Sequence, residues 1–257
     1  MIDYNSNSKV FIAFAAEDRY DIVEPLVYHL KNYGIDLWYD RHALLMGDNR
    51  VETNLVEGAA GCGYAIIVLS KHTAKSSCAL EEISILEARF KQGDVTVFPI
   101  LYELTPNELP KKLCWIKTVI FKEVVRNSGT REICNHIACR ITKDFLVDCN
   151  YRHVQDIILR PPDKLPLDSV AILKSYIEID HANLNSRVSL LYATYLTIIH
   201  TTNNAKRVSP LVTRIFDRVF SEIRLSLATD YREIWLLENT LCLLINDYIA
   251  SWTESSM

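Results

Sequence analysis

Glu82 is the carboxylate in this sequence whose position most invites chemistry. The apolar run Ala65-Ile-Ile-Val-Leu-Ser70 is followed by Ser77-Cys-Ala-Leu-Glu-Glu-Ile83, and the spacing predicts a helix capped by Ser76 or Ser77 and running to about Gln92. On that helix Cys78 lies four residues before Glu82, and Ile85 and Leu86 lie three and four after it. Glu82 therefore shares their mostly apolar face, whereas Glu81 lines up with Ser77, Ser84 and Ala88 on a more polar side. Two readings stand side by side. A glutamate near a helix start complements the helix dipole, and a carboxylate following a buried strand sits where open parallel α/β sheets bind ligands.

Two earlier blocks share this strand-then-loop layout. Lys9-Val-Phe-Ile-Ala-Phe-Ala-Ala-Glu-Asp18 places Phe14 and Glu17 at the end of a first apolar run. Gly34-Ile-Asp-Leu-Trp-Tyr-Asp40 ends a second run at Asp40, and Leu44-Leu-Met-Gly-Asp48 follows, with Leu45, Gly47 and Asp48 in the connecting loop. Each has a plain structural reading. Phe14 is a core residue, Gly47 a turn residue at positive φ, and Asp48 the cap of the next helix.

Other chemistries find no pattern. The seven histidines are scattered and suggest no Ser/His/Asp triad, and there is neither a P-loop nor a Gly-x-Gly-x-x-Gly run. The seven cysteines form no CxxC pair, so zinc-type spacing is missing, and they are expected to be buried reduced thiols. Net charge is −4, with 17 basic against 20 acidic residues in 1–150 and 11 against 12 in 151–257. Neither half carries the basic footprint that nucleic acid requires, so no nucleic-acid partner is expected. The polar start, Met1 to Ser8, has no apolar signal-peptide core. The most apolar later stretch, Leu190 to Ile199, falls well short of the roughly 20 residues of a membrane span. The expectation is a cytoplasmic protein with no membrane partner.

These residues need a scaffold, and the first half supplies an alternation. Val10 to Phe14, Ile35 to Tyr39, Tyr64 to Leu69, Val95 to Leu101 and Thr118 to Phe121 read as strands. Between them lie helical patterns: one opened by Asp21 with Pro25 near its first turn and Gly34 at its end, one over Asn49 to Ala60, and the Ser77 helix. Arg131 to Phe145 closes the series. Five strands alternating with helices predict an α/β domain with a flavodoxin-like parallel sheet in the order 2-1-3-4-5 and the first strand in its interior.

Past Val147 only helical periodicity remains. Arg160-Pro-Pro-Asp-Lys-Leu-Pro166 is a stiff connector. Helices are expected from Asp168, across Leu184 to Ile199, after Ser209-Pro210, and after the capping box Asp230-x-x-Glu233, with a turn at Asn203-Asn204. The division is a first domain over 8–147, a linker over 148–167 and an all-α helical bundle over 168–251, whose apolar stripes suggest oligomerisation or sensing.

Over roughly residues 8 to 146 the three blocks resemble the TIR domain, found in innate-immune signalling proteins and in NAD-cleaving effectors. Setting Cys78-Ala-Leu-Glu-Glu82-Ile against that family's Trp-Cys-x-x-Glu-like segment places Glu82 on the catalytic glutamate. The resemblance implies that Leu44 to Asp48 is the loop that gates the nucleotide pocket and takes part in domain assembly. It also implies that Phe14, Glu17, Asp40, Leu45, Gly47, Asp48 and Cys78 line the substrate site. The implied reaction is cleavage of NAD, as a nucleosidase or an ADP-ribosyl cyclase, with NAD as substrate and no separate cofactor or metal. A carboxylate suits it, because breaking the nicotinamide–ribose bond builds an oxocarbenium-like charge on the ribose. By analogy the setting is bacterial immune or anti-phage signalling, with self-association through the TIR and helical domains. Cys78 stands where many NAD-cleaving relatives have tryptophan, and Ala15 and Ala16 stand where some have arginine. A second function class therefore stays open: a non-catalytic scaffold acting through TIR–TIR contacts, in which Glu82 is only a helix-start glutamate.

Overall fold

The computed structural model describes residues 9–49, 51–147, 149–201, 208–225 and 227–254. Contacts divide the chain into two compact units. Among the described residues, one holds 9–31 and Ile35–Cys134; the other holds Asn32–Gly34 and those from Asn135 onward. The expected turn at Asn203-Asn204 lies outside the described residues.

In the first unit, β1 (Val10–Ala13), β2 (Leu37–Trp38), β3 (Tyr64–Leu69), β4 (Thr96–Tyr102) and β5 (Lys122–Val124) form one parallel sheet in the order β2-β1-β3-β4-β5. This is the expected order, with β1 between β2 and β3. Every residue of β1 and β3 is buried, which is why both read as unbroken apolar runs. Phe11, Ala13, Ala65, Ile67, Leu69, Val97 and Leu101 share one core cluster with Ile83 and Leu86 of α3 (Ser77–Gln92). The alternate residues Val10, Ile12, Ile66 and Val68 are equally buried on the other face.

Local departures from the sequence reading have physical causes. Asp21 does not cap a helix. It lies inside a π-turn, Arg19–Val23, that runs directly into α1 (Glu24–Asn32). Pro25 has no N–H for the Asp21 carbonyl and its ring crowds that oxygen, and the widened turn accommodates both. At the other end Gly34 has φ +78° and Ile35 N–H donates to the Leu30 carbonyl at 3.2 Å, the closing bond of a Schellman motif, as the glycine predicted. The ladder of β2 is only two residues long, because a single helical turn, α2 (Asp40–Ala43), begins at Asp40. The helix expected over Asn49 to Ala60 is a π-helix, Val51–Ala59. The fifth strand is displaced. Lys111–Thr118 winds as a 3₁₀ helix and Ile120 is exposed, while Val119 and Phe121 pack on the core as a connector. The ladder forms one step later, pairing Lys122 to Val124 with Ile100 to Tyr102.

From α4 (Arg131–Phe145), which crosses the division between the units, the described residues are helical and contain no strand. They form α5 (Val154–Leu159), α6 (Leu167–Glu178), α7 (Leu184–Thr201), α8 (Pro210–Arg224) and α9 (Tyr231–Glu254). The cap at Ser209 forms, its hydroxyl accepting from Leu211 N–H at 3.3 Å with Pro210 in the first helical position. At α9 the Glu233 carboxylate accepts from Asp230 N–H at 3.0 Å, half of the expected capping box. Rings join α7 to α8, Tyr192 stacking on Phe220 at 3.9 Å and Tyr195 on Phe216 at 4.3 Å. None of the seven cysteines forms a disulfide, and Cys78 and Cys114 are exposed rather than buried.

Candidate active site

Glu82 lies in the second turn of α3, whose start is set by the Ser76 hydroxyl accepting from Ala79 N–H at 3.3 Å. Its residue is only 7% exposed, while Glu81 beside it faces solvent, as their two helix faces predicted. Burying a carboxylate is costly unless it is hydrogen-bonded. Asn54 supplies such a bond, its Nδ2 donating to Glu82 Oε1 at 2.6 Å. Asn54 comes from the π-helical segment and is itself buried. Its Oδ1 accepts from the Trp38 indole Nε1 at 3.3 Å. An amide that must accept from an indole, which can only donate, has its orientation fixed, so its NH₂ is turned towards Glu82. Asn54 is neutral, and this bond orients the carboxylate without contributing an opposing charge.

Gly58 makes the arrangement possible. A Cβ there would stand 2.6 Å from Trp38 Nε1 and 2.8 Å from Phe11 Cε2, so only glycine lets the indole lie over the π-helical segment. The outer side of the indole carries the Lys9 ammonium, 4.2 Å from the ring centroid.

A second cluster gathers at the ends of β1 and β2. Arg19 holds Asp40 through two parallel bonds, Nη1 to Oδ1 at 3.1 Å and Nη2 to Oδ2 at 2.9 Å, and also donates to the Tyr39 hydroxyl at 3.2 Å. Its guanidinium lies 5.2 Å from the Phe14 ring centroid and 5.6 Å from that of Tyr39. Tyr39 donates to Glu24 at 2.7 Å, and burial, reinforced by that bond, pushes its hydroxyl pKa up to about 12. Phe14 and Asp40 are thus brought together, by an arginine that the sequence reading missed. Glu17, in the short turn Ala16–Asp18, is exposed. Its neighbour Asp18 is buried and accepts from Ser70 Oγ at 2.6 Å; burial pushes its carboxyl up, and the serine bond opposes this in part.

The two clusters occupy opposite faces of the sheet. Trp38 is in register with Phe11, which packs with α3, and Tyr39, one residue on, turns to the α1 side. Phe14 therefore belongs with Arg19 and Tyr39 rather than beside Glu82.

The loop after α2 forms its own turn. Gly47 has φ +105°, and Asp48 Oδ2 accepts from Leu45 N–H at 2.7 Å. Asp48 is consequently not the cap of the next helix; Asn49 is, its Oδ1 accepting from Val51 N–H at 3.1 Å and Glu52 N–H at 3.4 Å. Leu45 and Met46 at the tip are exposed, as is Cys78 in the first turn of α3. Among the described residues no group of three or more His, Cys, Asp or Glu side chains is arranged to hold a metal ion.

The sequence model of the TIR domain matches residues 10–127. A 2′ cyclic ADP-D-ribose synthase, BtTIR of Bacteroides thetaiotaomicron, is 31% identical over 99 residues, 38% of this chain and 34% of that one. A 2′ cyclic ADP-D-ribose synthase, AbTIR of Acinetobacter baumannii, is 32% identical over 100 residues, 39% of this chain and 37% of that one. An NAD(+) hydrolase, TcpA of Theionarchaea archaeon, is 31% identical over 108 residues, 42% of this chain and 32% of that one. The similarity to these relatives thus spans about a third of each one's length, and the TIR match ends at residue 127, before α4. With the parallel β2-β1-β3-β4-β5 sheet and the strand-end loops in place, residues 10–127 of this chain belong to the TIR domain family.

Proposed function

We propose that this chain cleaves NAD at the nicotinamide–ribose bond, with the Glu82 carboxylate as the catalytic group. The observation that carries the reading is the Glu82–Asn54 bond: a nearly buried carboxylate held at 2.6 Å by a neutral amide whose own orientation is fixed by Trp38. In the reaction the bond from ribose C1′ to the nicotinamide nitrogen breaks and its electron pair leaves with neutral nicotinamide. The ribose is left with cationic character. A carboxylate fixed beforehand opposes that charge without having to reorganise. Because the leaving group departs as a neutral molecule, no strong general acid is required. Attack of water on C1′ gives ADP-ribose and attack by a hydroxyl of the same molecule gives a cyclic product; in either case the attacking oxygen gives up one proton to solvent.

The TIR relatives named as NAD(+) hydrolase and cyclic ADP-D-ribose synthases support the substrate class. In this reading the Leu45–Asp48 turn and Cys78 border the site, and residues 168–251 form the helical domain, joined through 148–167, that governs assembly. The test is incubation of the purified chain with NAD at high protein concentration, separating nicotinamide, ADP-ribose and cyclic products by chromatography. Nicotinamide release is expected, and its absence in every assembly state would overturn the proposal.

A second reading, a scaffold built by TIR–TIR contacts, draws on Leu45 (79% exposed) and Met46 (fully exposed) at the tip of the loop after α2. It predicts that Leu45→Asp with Met46→Asp lowers the mass seen by light scattering. A mass unchanged by that variant would count against it.

A further inference from the structure

Two cavities open in the helical unit and meet at His153 and Glu238. The outer one, about 560 Å³, is lined among others by Arg140, Lys143, Arg152 and Trp235, and the inner one, about 210 Å³, reaches Tyr176, His181 and Arg187. The outer volume is within the range of small-molecule sites, about 300–1,000 Å³.

The charges lining this groove do not cancel. Its acids are Asp144 and Glu238, and both are already matched. Arg140 Nε lies 2.9 Å from each Asp144 oxygen, and Arg187 Nη2 lies 3.3 Å from Glu238 Oε1. Two cations are left over. Among the described residues Arg152 donates only to a neutral partner, the Val147 carbonyl, at 3.1 Å, and Lys143 has no ion-pair partner. His153 adds a ring that makes no hydrogen bond as the cap of α5.

The inner end is tied together by hydrogen bonds. Arg187 is 7% exposed, and both of its hydrogen bonds leave from Nη2, to the Tyr176 hydroxyl and to Glu238. Its Nε is buried with no partner among the described residues. The guanidinium lies 4.7 Å from the Tyr176 ring centroid, and Tyr176 in turn donates to Glu238. At the rim, Trp235 is 58% exposed and shares one face of α9 with Glu238 and Asn239, three and four residues on. A bare indole beside surplus cations suits a ligand that is planar at one end and anionic at the other.

We propose that this groove binds a nucleoside phosphate, the base lying against Trp235 and the phosphates on Lys143 and Arg152, with His153 as a further donor. The site is separate from Glu82 and does not depend on the function proposed for it.

The test is calorimetric titration of the whole chain with ADP, adenosine and pyrophosphate, repeated on Lys143→Glu with Arg152→Glu and, separately, on Trp235→Ala. ADP should bind more tightly than either fragment. The charge variant should weaken ADP at least tenfold, the scale of one lost charge-assisted bond. Trp235→Ala should weaken ADP and adenosine but not pyrophosphate. All three substituted residues are exposed, so both variants should keep the wild-type melting temperature, and basal NAD cleavage should be unchanged. Failure of millimolar ADP to bind, or equal ADP affinity in wild type and charge variant, would overturn the proposal. Pyrophosphate binding as tightly as ADP would overturn the nucleoside assignment.

Discussion

Asn54 Nδ2 and Glu82 Oε1 stand 2.6 Å apart, joining the π-helical segment to the second turn of α3 across 28 residues of sequence. This contact links the fold to the proposed chemistry, because it fixes where the carboxylate points.

Asn54→Ala should lower kcat for NAD cleavage by about 10- to 100-fold, the range for a hydrogen bond to a charged group. KM should change much less, since Asn54 is itself buried. Steady-state kinetics on a variant shown by circular dichroism to be folded would check this. A rise in KM at constant kcat would assign Asn54 to substrate binding instead.

Gly58→Ala should destabilise the TIR unit by about 1–3 kcal/mol, because the added methyl overlaps Trp38 and Phe11. Displacing the indole also releases the Asn54 amide. Chemical denaturation should show the lost stability, and nicotinamide release should fall further than that loss alone explains.

Asp18→Asn should raise the melting temperature at pH 7. Asp18 is buried and its pKa is raised, so the fold favours its neutral form, and its contribution is lost as pH rises from the unfolded value through the folded one. Asparagine keeps an acceptor for Ser70 Oγ without the charge. The gain should shrink as pH falls and Asp18 takes up its own proton. Thermal melts of both proteins from pH 4 to 8 would test the sign, and a variant less stable at pH 7 would contradict it.

Much of this was legible in the sequence. Unbroken apolar runs marked β1 and β3 because both faces of the sheet are covered, and a cap at Ser76 or Ser77 with a helical pattern to about Gln92 marked α3. The burial of Glu82 and exposure of Glu81 followed from helical spacing. Asn54, Trp38 and Arg19 were not legible as site residues, because each acts through a partner 16 to 28 residues away and no local pattern records the pairing. The fifth strand was misplaced because Val119 and Phe121 are apolar for packing rather than for pairing. The helix α5 went unnoticed because its six residues bury only Val154 and Ile157, too few to establish a period.

Cys78→Trp should lower KM for NAD while moving kcat little. Cys78 is exposed in the first turn of α3, so the larger ring has room, and it restores an aromatic surface four residues before Glu82. Initial rates over a range of NAD concentrations would decide, and an unchanged KM would remove stacking at this position from the account.

The most direct measurement is nicotinamide release from NAD by wild type, Glu82→Gln and Glu81→Gln, with circular dichroism to confirm folding. Glutamine keeps the size and hydrogen-bonding reach of Glu82 and removes the charge that opposes the ribosyl cation. Glu82→Gln should therefore lose about two to three decades in rate. Glu81→Gln, on the solvent side of α3, should stay near wild type. Full activity in Glu82→Gln, or equal loss in both variants, would contradict the assignment of Glu82 as the catalytic carboxylate.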